Sequence, residues 1–162
     1  MKKESLNNKI EKVVINSGIG RLSQSPNFEE KVLSAILSEI ASITGQKPAI
    51  RPAKKSIAGF KTREGNVVGV MVTLRHKKMT DFFNRLVNIV IPRVRDFRGI
   101  PVDSIDESGN LNIGIRDSGV FPEISGDIGS VSFGMQITIV PRVRGREKAI
   151  QLYRELGVPF KK

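Results

Sequence analysis

The sequence predicts an α+β fold: an antiparallel β-sheet with helices packed on one face, a two-layer sandwich. Two observations predict it. Some segments alternate apolar and polar residues with the period of a half-buried strand, and others repeat apolar residues at helical spacing. The two kinds are interspersed without the regular alternation of a doubly wound parallel sheet. With 162 residues and 39% apolar content, the chain can bury a core as one domain over residues 1–162.

Residues 12–16 (KVVIN) read as a short strand ending in the flexible SGIG. Ser25-Pro26 then supplies a helix start, with Ser as N-cap, Pro at the first helical position, and Glu29 and Glu30 near the positive end of the dipole. Phe28, Val32, Leu33, Ile36, Leu37, Ile40 and Ile43 follow at helical spacing until Gly45. Residues 48–63 are too broken by proline and glycine for a long element and fit a short strand with a basic loop. Asn66 to Arg75 reads as a strand with Val68, Val70, Val72 and Leu74 on one face, and Val67, Gly69, Met71 and Thr73 on the other.

From Thr80 an amphipathic helix presents Phe82, Phe83, Leu86, Val87 and Val90 and ends before Pro92. Residues 110–116 alternate Leu111, Ile113 and Ile115 with polar or glycine positions. Residues 133–140 do the same with Phe133, Met135, Ile137 and Ile139. A last helix from about Arg146 uses Ala149, Leu152, Tyr153 and Leu156 and closes at Gly157. If the strands share a sheet, Asn16, Thr73, Asn112, Arg116, Gln136 and Thr138 line its polar face. Such a face is either simply solvated or a contact surface of amides and hydroxyls suited to base edges, ribose and phosphate.

Charge points to a partner. Between Lys47 and Arg98 there are 13 Lys and Arg against three acids, which places +10 of the net +11 in a third of the chain. Such a field repels itself unless an anion compensates, and nucleic acid is the obvious polyanion. The tract RPAKKSIAGFKTREG (51–65) carries five Lys or Arg around one aromatic, Phe60, with Gly59 and Gly65 marking a mobile hairpin tip. PRVR occurs at 92–95 and again at 141–144, read as two separate phosphate-facing corners. The acidic block 99–140 is unsuited to the same polyanion and either meets a basic protein or is solvated.

Catalytic signals are weak, and no enzyme is expected. His76 is the sole histidine and stands among cations, so a triad or zinc site has no supporting residues. Asp103, Asp106 and Glu107 lack the pattern of a calcium loop, although a metal-dependent nuclease using them is a rival reading. A free RNA chaperone or translation regulator using the same basic surface is another. With no cysteines, disulfides and thiolate metal sites are excluded. The N-terminal residues carry no apolar signal segment, and no run approaches a membrane span. The expectation is a soluble, cytoplasmic protein without cofactor or metal.

The run TGQKPAIRPAKKSIAGFKTREG (44–65), then VTLR (72–75), PRVRDFRG (92–99) and FPEI (121–124), closely resembles the bacterial large-subunit ribosomal protein L-five family. The resemblance extends from VVINSGIG to the terminal PFKK. It implies a structural α+β protein that binds 5S rRNA and helps attach it in the central protuberance. It further implies contact with P-site tRNA and an intersubunit bridge to the small-subunit head. The implied partners are therefore 5S rRNA, large-subunit rRNA, P-site tRNA and neighbouring ribosomal proteins, including a basic protein of the small-subunit head.

Carried over by position, Asn16, Gln46 and Thr73 match the family's polar RNA-facing residues. Lys47, Arg51, Lys54, Lys55, Arg75, Arg93, Arg95 and Arg98 would add RNA contacts. The loop with Phe60, Lys61 and Arg63 matches the segment that reaches tRNA. Three departures stand out. The family's opening helix is absent here or reduced to MKKESLNNK, the first helix region is about four residues longer, and PRVRGRE (141–147) is more basic than usual.

Overall fold

Alternation of apolar residues builds five strands into one antiparallel sheet. They are β1 (Ile10–Gly18), β2 (Ala49–Pro52), β3 (Val67–Leu74), β4 (Leu111–Ile115) and β5 (Met135–Pro141), in the spatial order β2-β3-β1-β5-β4. Along β3 every second side chain from Val70 to Leu74 is buried, and along β5 the same holds from Met135 to Ile139. The fold is thus α+β, as the two periodicities require. The computed structural model describes residues 3–24, 27–124 and 131–161, which group into two compact units.

The first unit comprises residues 1–14, 73–114 and 136–162. Its first described element is the helix α1 (Lys3–Lys9). Leu6, Ile10 and Val13 are fully buried. The second amphipathic helix differs from its expected bounds at both ends. It begins at His76, because Met79 supplies a buried position one turn ahead of Phe82 and Phe83. It does not stop at Pro92. It widens into a π-helical stretch over Leu86–Val90 and resumes as a last turn over Ile91–Arg93. A proline ring clashes with the carbonyl four residues back in a regular helix. The widened turn relieves that clash and leaves Pro92 in the first turn of the resumed helix.

The unit closes with the helix Arg146–Glu155, which buries Ala149, Leu152 and Tyr153. Lys9 Nζ meets Glu155 Oε2 at 2.8 Å, and Thr80 Oγ1 donates to Asn7 Oδ1 at 3.1 Å. Residues 159–161 run beside the chain at Ile100. The Ile100 N–H donates to the Pro159 carbonyl at 2.8 Å, and the Lys161 N–H donates to the Ile100 carbonyl at 2.9 Å. Gly99 allows this approach: a Cβ there would lie 2.5 Å from Lys161 N, and its φ of +99° also favours glycine.

The second unit comprises residues 15–72 and 115–135. The expected cap Ser25-Pro26 lies outside the described residues. The helix opens as a π-helical turn, Phe28–Leu33, and continues as an α-helix over Ser34–Thr44. Phe28, Leu33, Ile36, Ile40 and Ile43 are buried, as their spacing predicts. Gly45 ends it in the left-handed region with its N–H on the Ala41 carbonyl at 2.8 Å.

SGIG is not the flexible exit that its composition suggests. Ser17 and Gly18 belong to β1, Ser17 Oγ donates to the Gly134 carbonyl at 2.7 Å, and Ile19 is fully buried with its N–H on the Val68 carbonyl at 3.0 Å. Burial of one large apolar side chain, worth about 1.5–3 kcal/mol, overrides the glycines beside it.

Candidate nucleic-acid interface

In the second unit the outward side of the strands is set by pairing and alternation. Asn16 is exposed between buried Ile15 and Ser17 on β1. β2 runs antiparallel to β3 with Ala49 opposite Met71 and Arg51 opposite Gly69, so Arg51 shares a face with Met71. Its Nη2 lies 3.7 Å from the Met71 sulfur. Gln46 is placed by the end of the preceding helix: Thr44 Oγ1 accepts its N–H at 3.3 Å and lies 3.0 Å from its carbonyl. Gln46 is half-buried, and Lys47 beside it is exposed.

Residues 53–66 leave β2 and return to β3 as a self-bonded hairpin. At its base the Ala53 N–H donates to the Asn66 carbonyl at 2.8 Å, and the Gly65 N–H donates to the Ala53 carbonyl at 3.0 Å. Midway, Ile57 and Thr62 exchange two backbone hydrogen bonds of 2.8 and 3.2 Å. A 3-10 turn, Ala58–Phe60, forms the tip, and Lys61 follows it in a left-handed conformation with φ +50°. The backbone of the tip thus makes its own hydrogen bonds within the loop that composition reads as a hairpin.

This hairpin borders an open groove of about 1120 Å³. Its wall is apolar, formed by Ile57, Phe60 and Val68, with Phe60 72% exposed and Ile57 50% exposed. Four cations border it, Arg21, Lys54, Lys55 and Lys61, and among the described residues no carboxylate does. Arg63 is exposed on the returning arm and does not line it. Sequence reasoning misses Arg21. The available signal is its position in GIGR, three residues beyond the end of β1.

In the first unit Thr73 is half-buried on β3, and Arg75 is exposed in extended backbone just before the helix at His76. Arg93, Arg95 and Arg98 are exposed around Phe97, whose exposure is 36%. Further along, Asn112 Oδ1 accepts from Thr138 Oγ1 at 2.7 Å and from Gln136 Nε2 at 3.2 Å. The predicted site residues are thus distributed, with Asn16, Gln46, Lys47, Arg51, Lys54, Lys55 and the Phe60 loop in one unit, and Thr73, Arg75, Arg93, Arg95 and Arg98 in the other.

In the second PRVR tract Arg142 and Arg144 are both exposed. Pro141 is buried, and Arg142 Nε donates to the Asn7 carbonyl at 3.0 Å, in the last turn of α1. There one guanidinium N–H satisfies a helix-end carbonyl while the side chain stays exposed. The acidic trio is engaged in part. Asp103 pairs with Arg146 at 2.8 Å, and Asp106 accepts from the Asn110 backbone N–H and side-chain amide, each at 2.8 Å. Burial alone would raise the Asp106 carboxyl, but the hydrogen bonds from Asn110, Ser108 and Gly109 outweigh it and hold it below its ordinary value. Among the described residues no group of three or more His, Asp or Glu is placed to hold a metal ion. No described helix is long and apolar enough to cross a membrane.

None of Lys47, Lys54, Lys55, Lys61, Arg63, Arg75, Arg93, Arg95 or Arg98 has a carboxylate partner among the described residues, and the ion pairs Lys9–Glu155, Lys12–Glu11 and Arg146–Asp103 lie elsewhere in the chain. Uncompensated cations around exposed aromatic surface give this scaffold a positive face of the kind that suits an anionic partner. Comparison with known proteins gives that class a family. Residues 7–63 match the model of ribosomal protein L5, and residues 67–160 match the model of that ribosomal family's C-terminus.

The chain is 47% identical over 154 residues to the large ribosomal subunit protein uL5 of Fusobacterium nucleatum subsp. nucleatum, covering 95% of this chain and 82% of that protein. It is 48% identical over 152 residues to the uL5 of Halothermothrix orenii, covering 94% and 83%. It is 47% identical over 154 residues to that of Mesoplasma florum, covering 95% and 83%. The chain belongs to the ribosomal protein L5 family, a structural component of the ribosome and not an enzyme.

Proposed function

We propose that this protein is a constituent of the large ribosomal subunit that binds 5S rRNA and helps attach it in the central protuberance. On this reading Asn16, Gln46 and Thr73 make polar contacts to the RNA. Lys47, Arg51, Lys54, Lys55, Arg75, Arg93, Arg95 and Arg98 neutralise phosphates. The loop with Phe60, Lys61 and Arg63 reaches P-site tRNA, and the later acidic part of the chain bridges to a basic protein of the small-subunit head. The observation that carries the reading is the set of exposed cations without carboxylate partners among the described residues, together with the polar strand positions that alternation turns outward. Affinity then comes from phosphate neutralisation, and selectivity from the shape and ribose hydroxyls of a folded RNA.

The test is binding of purified 5S rRNA against a tRNA competitor over a range of salt. If about six phosphates are contacted, log affinity falls with log salt at a slope of about −4 to −5. Asn16→Ala removes an exposed amide with no packing role. It is expected to weaken 5S rRNA binding about five- to tenfold while leaving binding to random RNA unchanged. Equal loss towards both RNAs, or a slope near zero, contradicts the assignment.

A further inference from the structure

We infer that the groove beside the 53–66 hairpin is a receptacle for one unpaired RNA base, stacked on its apolar wall while the bordering cations take the adjoining phosphates. This rests on the RNA-binding reading above and narrows it to a chemical feature of the ligand. Two properties of the groove must be satisfied together. Its wall exposes an aromatic ring and a branched aliphatic side chain, Phe60 and Ile57, which an isolated soluble protein gains nothing by leaving in water. Its border holds Arg21, Lys54, Lys55 and Lys61 with no acid among them. Phosphate alone has no use for the apolar wall, and an apolar peptide has no use for four cations. A nucleotide has both a flat π face and a charge on either side of it.

The base must be unpaired. Within a duplex both faces of each base are covered by their neighbours, and only edges and backbone remain to be touched. The room for it is visible in the glycines. A Cβ at Gly18 or at Gly59 would meet nothing within 4 Å, and neither residue has the left-handed backbone that would require glycine. Both positions border the groove, so both leave open space beside it. The hydrogen bonds across the hairpin between Ile57 and Thr62 give the backbone that carries the wall a defined shape.

The test uses the full chain and a hexaribouridylate carrying one 2-aminopurine. Saturable change of the 2-aminopurine fluorescence is expected with the single strand and not with the same strand in a duplex. Gly18→Val, which fills the groove from a strand position, is expected to weaken that binding at least about tenfold, the range of a lost stacked base. Phe60→Ala, at an exposed position, is expected to do the same and serves if the valine variant fails to fold. Filter binding of 5S rRNA to the parent protein and both variants runs in parallel. A parent that retains 5S rRNA but leaves the fluorescence unchanged, or variants that bind the oligonucleotide as the parent does, overturn the receptacle and leave the RNA reading standing. The fluorescence pattern as expected with no preference for 5S rRNA overturns that reading and keeps the receptacle. Tighter capture of an acidic, phenylalanine-containing peptide than of the oligonucleotide makes the occupant a protein segment and overturns the inference.

Discussion

The Tyr153 hydroxyl donates to the Ile139 carbonyl at 2.9 Å, with the Gly109 carbonyl 3.1 Å away, at a site with no exposure to solvent. Burial above all, with the charge of Asp106 adding to it, pushes the phenol well above its ordinary value, so it is a donor at neutral pH. Tyr153→Phe keeps the ring and removes the only hydrogen it can share. The expected cost is about 1–2 kcal/mol, since buried carbonyls lose a partner. Urea denaturation should show a lower midpoint with an unchanged slope.

Gly99→Ala tests the close approach of residues 160 and 161. The new Cβ would lie 2.5–2.7 Å from Lys161 N, Lys161 Cα and Phe160 C, backbone atoms that cannot step aside individually, at a φ of +99°. The expected loss is about 2–4 kcal/mol. Gly114→Ala is the control, because a Cβ there meets nothing within 4 Å. Thermal melts of the two variants should differ clearly, with Gly114→Ala within about 0.5 kcal/mol of the parent.

Lys54 and Lys55 have no carboxylate partner among the described residues, whereas Lys9 is paired with Glu155 at 2.8 Å. Replacing Lys54 and Lys55 together by Ala should reduce the steepness of the log-affinity against log-salt plot for 5S rRNA by about 1.5, roughly 0.7–0.9 for each phosphate no longer neutralised. Lys9→Ala should leave the slope unchanged. Titrations at several salt concentrations separate these outcomes from a general loss of fold.

Glu39 lies on the Ser34–Thr44 helix with one carboxylate oxygen buried and unpartnered among the described residues, and burial raises its carboxyl above the ordinary value. The folded protein therefore holds this proton more tightly than the unfolded chain does. The resulting stability is fully present below the unfolded value and is lost as pH rises through the folded one. Glu39→Gln should stabilise the protein near neutrality by about 0.5 kcal/mol, a low figure because the side chain is partly exposed. The advantage should shrink on acidification through the carboxylate range, as read by denaturant unfolding at neutral and acidic pH.

The elements most legible in the sequence are those with local signals. Val70, Val72 and Leu74 alternate on β3, Ile36, Ile40 and Ile43 recur on one helix face, and both patterns are buried. The run through Pro92 is illegible because a widened turn at Leu86–Val90 leaves no mark in apolar spacing. Ile19 is obscured by the glycines around it, since its burial depends on pairing with Val68, far along the chain. The interface divides in the same way. A surplus of cations is visible in composition, but Arg21 joins the groove only through the position of β1 beside β3, and the bond from Arg142 to the end of α1 depends on a helix far away in sequence.

The bridge between Ile100 and Phe160 has a consequence for synthesis. The arginines at 93, 95 and 98 emerge about sixty residues before the stretch that anchors the end of their loop. A nascent chain interrupted in that interval carries the positive charge without the backbone that fixes it. Correct presentation of these side chains is therefore coupled to translation continuing through residue 161, and an incomplete copy would compete poorly for any partner that reads their arrangement rather than their charge.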